Sequence, residues 1–373
     1  MLLKDLQENK RLKPLDGLRG LAILLVFLFH HFTTLHFFRF AWVGVDLFFV
    51  LSGFLITAGL LKAKGTKGYY LNFYRKRALR IFPIYYLMLL LFTVACLLYQ
   101  YSPDSDFAYF RENKFYFFTY LQNWLFSFKD FRHNSMLNHL WSLAIEEQFY
   151  LCWPLLIACT RPSGAITICL VLLALSIGLR IASGNFYFVY FNTFTHSDGL
   201  VIGAMAALIT RKQQQRFFTV TACISFVLVV MWVSWSGAFY PNDKQVMRWG
   251  YTLVPIGCSY LLILCFSKNI VGRIFRQVLC TRFMVYTGKI SYGLYLYSWP
   301  VYVWLFPHLI EAVQRQGYAS ILLPIYSVLF VASMYGIATL SYYFIEKPLL
   351  KFKKKYAGPV APVDAVYNSN TPM

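Results

Sequence analysis

Leu15-Asp-Gly-Leu-Arg19-Gly-Leu-Ala-Ile-Leu-Leu-Val-Phe-Leu-Phe-His30 is an apolar run with a guanidinium near one end and an imidazole at the other. At about 100° per residue, eleven steps return a helix to within roughly 20° of its starting face. The same eleven steps carry Arg19 and His30 roughly 16 Å apart along that face. Both groups are costly to place in lipid. Residues of this kind usually face a protein-lined or watery interior and mark a pathway or a reaction site.

The rest of the chain fits a membrane setting. Of its 373 residues, 58% are hydrophobic, 20% aromatic and only 13% charged, with a mean hydropathy of +0.52. A soluble protein carries close to twice that charged fraction. Apolar runs of about 20 residues recur from end to end, which defines an all-α, polytopic integral membrane protein. The formal net charge of +20 sits in short segments between apolar runs, with no continuous basic face. That distribution reads as topology signal and excludes nucleic acid as a partner. Eight scattered cysteines form no CxxC pair, so buried thiols are expected, with no disulfide framework and no metal site. The N-terminus has no small-residue cleavage site, so the first helix is expected to be retained as its own targeting signal.

About ten transmembrane helices fit the pattern, near 15–36, 41–61, 81–101, 140–160, 164–182, 197–210, 217–237, 249–267, 284–306 and 320–344. The aromatic stretch 114–128 is short and suits a re-entrant or interfacial segment. With the N-terminus inside, most Lys and Arg fall in cytoplasmic segments, among them 62–80, 211–216, 268–282 and 347–355. Both termini are then cytoplasmic. Residues 1–355 form one membrane domain, and the Pro-rich, polar segment 356–373 is expected to be a disordered cytoplasmic tail.

This topology puts His30, Asp46, Glu146 and Glu147 at one depth, roughly 7–10 Å below the outer surface. A His oriented by a carboxylate is the usual general-base arrangement for activating a hydroxyl. Taken singly, each residue also fits a structural cap or pair at an interface; the set favours chemistry. His31 is the rival to His30, but it lies about 100° off the face shared with Arg19. His36, His133, His139, His196 and His308 fall near outer ends or loops and read as interfacial. On the inner side, Arg77 and Arg80 stand three apart on one helix face, with Pro83 fitting a first turn. Basic residues there also serve topology alone. Paired guanidiniums suit phosphate oxygens, and Arg19 enters from the same side.

At these residues the chain resembles the acyltransferase-3 family of membrane-bound acyltransferases. The motifs are LDGLRGLAILLVFLFHH (15–31), WVGVDLFFVLSGFLI (42–56), FYRKRALRIFPIYYL (73–87) and LWSLAIEEQFYLCWPLL (140–156). SDGLVIGAMAAL (197–208), GKISYGLYLYSWPVYVW (288–304) and SYYFIEKPLLKF (341–352) follow in the family's order. The resemblance implies transfer of an acyl group, commonly acetyl, from cytoplasmic acetyl-CoA (acyl-CoA) to a hydroxyl of a cell-envelope or exported carbohydrate. The acceptor is then a polysaccharide, a lipopolysaccharide sugar or another lipid-linked glycan, and the setting the bacterial cytoplasmic (inner) membrane. The resemblance also makes Arg19 and His30 essential, assigns Arg77 and Arg80 to the CoA side, and gives roles to Glu146 or Glu147, Asp46 and Glu346.

On this reading CoA phosphates dock on Arg77, Arg80 and Lys289, and the pantetheine arm passes Arg19 to bring the thioester to His30. His30 acts as general base or as a transient acyl carrier, with Asp46 or Glu147 orienting the ring. The competing class is a transporter or flippase for a lipid-linked or anionic sugar, whose path the same buried charges would line. Trp42, Tyr120 and Trp124 are placed to stack on sugar rings or to form an ordinary interfacial belt.

Overall fold

A computed structural model describes residues 12–32, 36–98, 105–128, 131–132, 135–209, 212–236, 239–315 and 319–353. The tail expected at 356–373 lies outside the described residues. Among those described there is no strand. The helices are α1 (Lys13–His31), α2 (Val43–Ala63), α3 (Tyr69–Leu98), α4 (Asp106–Phe118), α5 (Gln122–Phe128), α6 (Trp141–Cys159), α7 (Pro162–Ser183) and α8 (Phe186–Phe191). They continue with α9 (Thr193–His196), α10 (Asp198–Leu208), α11 (Lys212–Ser236), α12 (Tyr251–Leu264), α13 (Ile270–Leu279), α14 (Arg282–Arg315), α15 (Ala319–Ser341) and α16 (Lys347–Lys353).

Each of the ten apolar runs contains a helix among its described residues. Six stretches are long and apolar enough to cross a membrane: Lys13–His31, Phe38–Ala63, Tyr69–Leu98, Pro162–Ser183, Lys212–Trp235 and Ile325–Lys351. At 11 residues α10 is short for a span, and it packs inside the bundle along α2. The stretch 114–128 is the end of α4 and all of α5, joined by a turn at Tyr120 with φ +55. Of the eight cysteines, Cys169, Cys258 and Cys265 are buried as expected, whereas Cys152, Cys159 and Cys280 are exposed on their helices.

One boundary changes the chemistry. The third run was expected to start near residue 81, with Pro83 in its first turn. Instead α3 begins at Tyr69, so the basic segment 75–80 is itself helical and Pro83 lies well inside the helix. Periodicity carried through 75–80 brings Arg77 and Arg80 round to one face.

Helix contacts in the core rely on small residues, which let backbones approach where lipid gives no hydrophobic drive. A Cβ on Gly288 would stand 1.8 Å from the Asp16 carbonyl oxygen, and one on Gly20 would stand 2.3 Å from that of Met284. These contacts seat α1 against α14. Gly203 plays the same part for α10 against α2, since a Cβ there would meet the Val50 carbonyl at 2.1 Å. Gly288→Val is therefore expected to force α1 and α14 apart, an overpacking cost of about 1–3 kcal/mol or more. Loss of the monodisperse peak in detergent chromatography checks this; a Val variant as stable as the parent would show that the contact is not needed.

A buried polar network ties α7, α10 and α12 together. Arg180 Nη2 lies 3.1 Å from Asp198 Oδ2, and Arg180 Nη1 donates to the Thr195 carbonyl at 2.7 Å. Ser176 donates to the other Asp198 oxygen at 2.5 Å, and Thr252 donates to Oδ2. Both charges are about 1% exposed, so each depends on its partner.

Candidate active site

Five helices converge on a cavity of about 90 Å³. Arg19 comes from α1, Ser52 from α2, and Arg77 and Arg80 from α3. Ser142, Glu146 and Tyr150 come from α6, and Ser291, Tyr292 and Tyr295 from α14. Ser142, Glu146 and Tyr150 descend α6 one turn apart, roughly 6 Å per step. The Arg77 guanidinium lies 5.3 Å from the Tyr150 ring centroid and 5.8 Å from that of Phe73, within cation–π range. Tyr292 donates to the Ile81 carbonyl at 2.8 Å, fixing α14 beside the arginine pair.

The three guanidiniums feel one another electrostatically. Among the described residues no carboxylate lies within 4.0 Å of any of them. Glu146 instead accepts a hydrogen bond from Ser52 at 2.7 Å. Glu147, about 100° round α6, sits in electrostatic range of Arg77 and of the hydroxyls of Tyr85, Tyr120 and Tyr292. Glu346, on the π-turn Tyr342–Glu346, is buried in electrostatic range of Arg80. Three cations around one cavity, none in a salt bridge among the described residues, are an arrangement suited to an anion. Lys289 does not reach the cavity wall; its neighbour Gly288 packs on α1 instead.

His30 lies outside the cavity wall, at the far end of α1, with its ring 4.7 Å from that of Trp299. A hydrogen-bonded link runs towards it. Tyr295 donates to the His139 carbonyl, and its hydroxyl oxygen stands 2.6 Å from that of Ser142. A carbonyl only accepts, so the single Tyr295 proton is committed there and Ser142 must donate to Tyr295. The Ser142 oxygen thus keeps a lone pair for whatever fills the cavity. One turn beyond Tyr295, the Trp299 indole donates to the Ser135 carbonyl at 2.9 Å. His30 and His139 therefore lean on consecutive turns of α14 and lie in electrostatic range of each other.

The single layer expected from sequence is thus two. Glu146 belongs with the arginines, and no carboxylate is hydrogen-bonded to His30 among the described residues. Asp46, expected to orient His30, is fully buried with Oδ1 3.7 Å from His196 Nε2. The His196 Nδ1–H donates to the Tyr190 carbonyl at 2.6 Å, which aims Nε2 at Asp46. His139 and His196, read from sequence as interfacial, are 3% and 1% exposed. His31 is also buried, packed between Phe27, Tyr302 and Phe330 on another face. Trp42 and Tyr120 are not open to a sugar. Trp42 donates to the Phe239 carbonyl and stacks on that ring, while Tyr120 stacks on Tyr85 at 4.2 Å.

Comparison with known proteins agrees with the motifs. Residues 13–343 match the acyltransferase-3 family, described as an acyltransferase domain. YrhL of Bacillus subtilis, named as a peptidoglycan O-acetyltransferase, is 29% identical over 92% of this chain and 55% of its own. The O-acetyltransferase OatA of Staphylococcus aureus is 27% identical over 94% of this chain and 59% of its own. The peptidoglycan O-acetyltransferase OatA of Listeria monocytogenes is 27% identical over 92% of this chain and 56% of its own. The chain thus spans somewhat over half the length of these relatives. No solved structure matches. With the family's match running across five converging helices and their shared cavity, the chain belongs to the acyltransferase-3 family.

Proposed function

We propose that the protein is a membrane O-acetyltransferase that takes acetyl from cytoplasmic acetyl-CoA and delivers it to a hydroxyl of cell-wall glycan on the opposite face. The observation that carries this reading is the cavity on which Arg19, Arg77 and Arg80 converge without a carboxylate in contact. CoA brings the missing anions as phosphates, and guanidinium forks match phosphate oxygens. The names of the relatives support peptidoglycan as the acceptor. The excess of Lys and Arg at the arginine end supports a cytoplasmic opening there, with both termini inside.

Arg77, Arg80 and Arg19 hold the phosphate end, and Lys289 stays outside the contact. The cavity suits a slim pantetheine arm rather than a nucleotide. Ser142 accepts from an amide N–H of that arm, and Glu146, fixed by Ser52, borders its path. At the far end His30 takes the proton of the acceptor hydroxyl as oxygen attacks the thioester carbon. The C–O bond forms, the C–S bond breaks, and the His30 proton passes to the departing thiolate. A route through an acetylated imidazole uses the same residue in two half-steps. Mass spectrometry of cell-wall glycan with and without the gene tests the assignment. Acetyl esters that disappear with the gene are expected; an unchanged ester content would refute it.

A further inference from the structure

The helix α13 has a use that acyl transfer does not assign. It joins α12 to α14 and packs against both and against α1. Ten residues span about 15 Å, half of what a bilayer core needs, so α13 is too short to cross a membrane. Its sequence, IVGRIFRQVL, divides into three faces at about 100° per residue. Gly272 and Leu279 are buried against the bundle. The Leu279 carbonyl touches the backbone at Gly17, where a Cβ would stand 2.0 Å away. Arg276 is taken up by the Leu264 and Ser267 carbonyls at the end of α12.

The second face is apolar and uncovered. Ile270, Ile274 and Val278, one turn apart, are 62%, 55% and 51% exposed. Arg273 lies about 100° round the helix from Ile274, Gln277 falls between it and the apolar stripe, and exposed Lys268 and Arg282 flank the helix. No Asp or Glu occurs anywhere from 244 to 310. An apolar stripe beside a basic edge, on a short helix packed against its neighbours, is the pattern of an interfacial lipid contact.

We propose that α13 is an in-plane seat for anionic lipid of the leaflet at the arginine end of the bundle. Acyl chains cover Ile270, Ile274 and Val278, and headgroup phosphates meet Lys268, Arg273 and Arg282. The backbone contact between Leu279 and Gly17 fixes this seat two residues from Arg19, so the lipid braces the first turn of α1.

The test places p-benzoylphenylalanine at Ile274 or, separately, at Asn242, exposed in the turn that precedes α12, in the full chain. Each protein is reconstituted in vesicles of phosphatidylcholine and phosphatidylglycerol at 4:1 and irradiated, and the adducts are read by mass spectrometry. At 274 lipid adducts are expected at least tenfold above those at 242, with phosphatidylglycerol enriched several-fold over its share of the bilayer. Arg273→Gln with Arg282→Gln in the same chain is expected to return that enrichment to the bulk ratio while adducts at 274 persist. Equal lipid capture at the two positions would overturn the seat. Capture at 274 in the bulk lipid ratio would overturn its preference for anionic lipid.

Discussion

His30→Ala is expected to remove acetyl transfer to glycan by about 10²–10⁴-fold, the usual contribution of a positioned general base. The protein should remain folded, because His30 packs by its ring against Trp299 and holds no hydrogen bond that organises the bundle. Acetyl-CoA binding should stay within about twofold, since His30 lies outside the wall of the arginine cavity. His31→Ala separates the two imidazoles. His31 fills an aromatic niche between Phe27, Tyr302 and Phe330, so its loss should lower the melting temperature by a few degrees and leave most turnover. Radiolabelled acetyl release by the purified variants reads both. If His30→Ala kept normal turnover while His31→Ala abolished it, the assignment would be reversed.

The second large effect concerns the arginines. On the proposed docking of CoA, Arg77→Ala and Arg80→Ala should each cost a charge-assisted contact with phosphate, about 1.5–3 kcal/mol, or tenfold to a hundredfold in KM for acetyl-CoA. Lysine at either position keeps the charge but loses the planar fork and should recover only part of that loss. The stability effect should be smaller than for deletion of one partner of a buried salt bridge. Among the described residues none of these guanidiniums sits in a salt bridge, and each is repelled by the others while Asp16, Glu146, Glu147 and Glu346 attract from a distance. Losing one relieves repulsion from the others but also removes attraction to Glu146, Glu147 or Glu346, so the ligand-free melting temperature should move by no more than a few degrees. Asp198→Asn gives the contrast, because it breaks a real buried pair and should destabilise by about 3–5 kcal/mol. Lys289→Ala should leave KM within about twofold. A fall in melting temperature with unchanged KM for Arg77→Ala and Arg80→Ala would make the arginines structural.

How far the sequence could be read follows from the range of each signal. Every helix in the apolar pattern is present because hydrophobic run length is a local property. The start of α3 was misjudged because the charges of 75–80 look like a loop, while the helical period runs straight through them. Arg19 and His30 were legible as one face of one helix, and Arg77 with Arg80 as another. The partner of Asp46 was not. His196 lies 150 positions further on, and neither residue carries a local mark of the other. His139 was set aside as interfacial, yet Tyr295 and the turn after it on α14 bury it beside His30. That Glu146 shares a cavity with the arginines was not legible for the same reason. Counting residues from a helix end gives its height, and only the convergence of five helices shows which charges share that height.

The central claim is a single path that crosses the membrane, from the arginine cavity to His30. Sealed proteoliposomes test it most directly, with labelled acetyl-CoA trapped inside and cell-wall glycan fragments outside. Label is expected on the external glycan of intact vesicles, and its appearance should fail with His30→Ala and weaken with Arg77→Ala. Transfer that occurs only after the vesicles are broken, with donor and acceptor on one face, would contradict a transmembrane path.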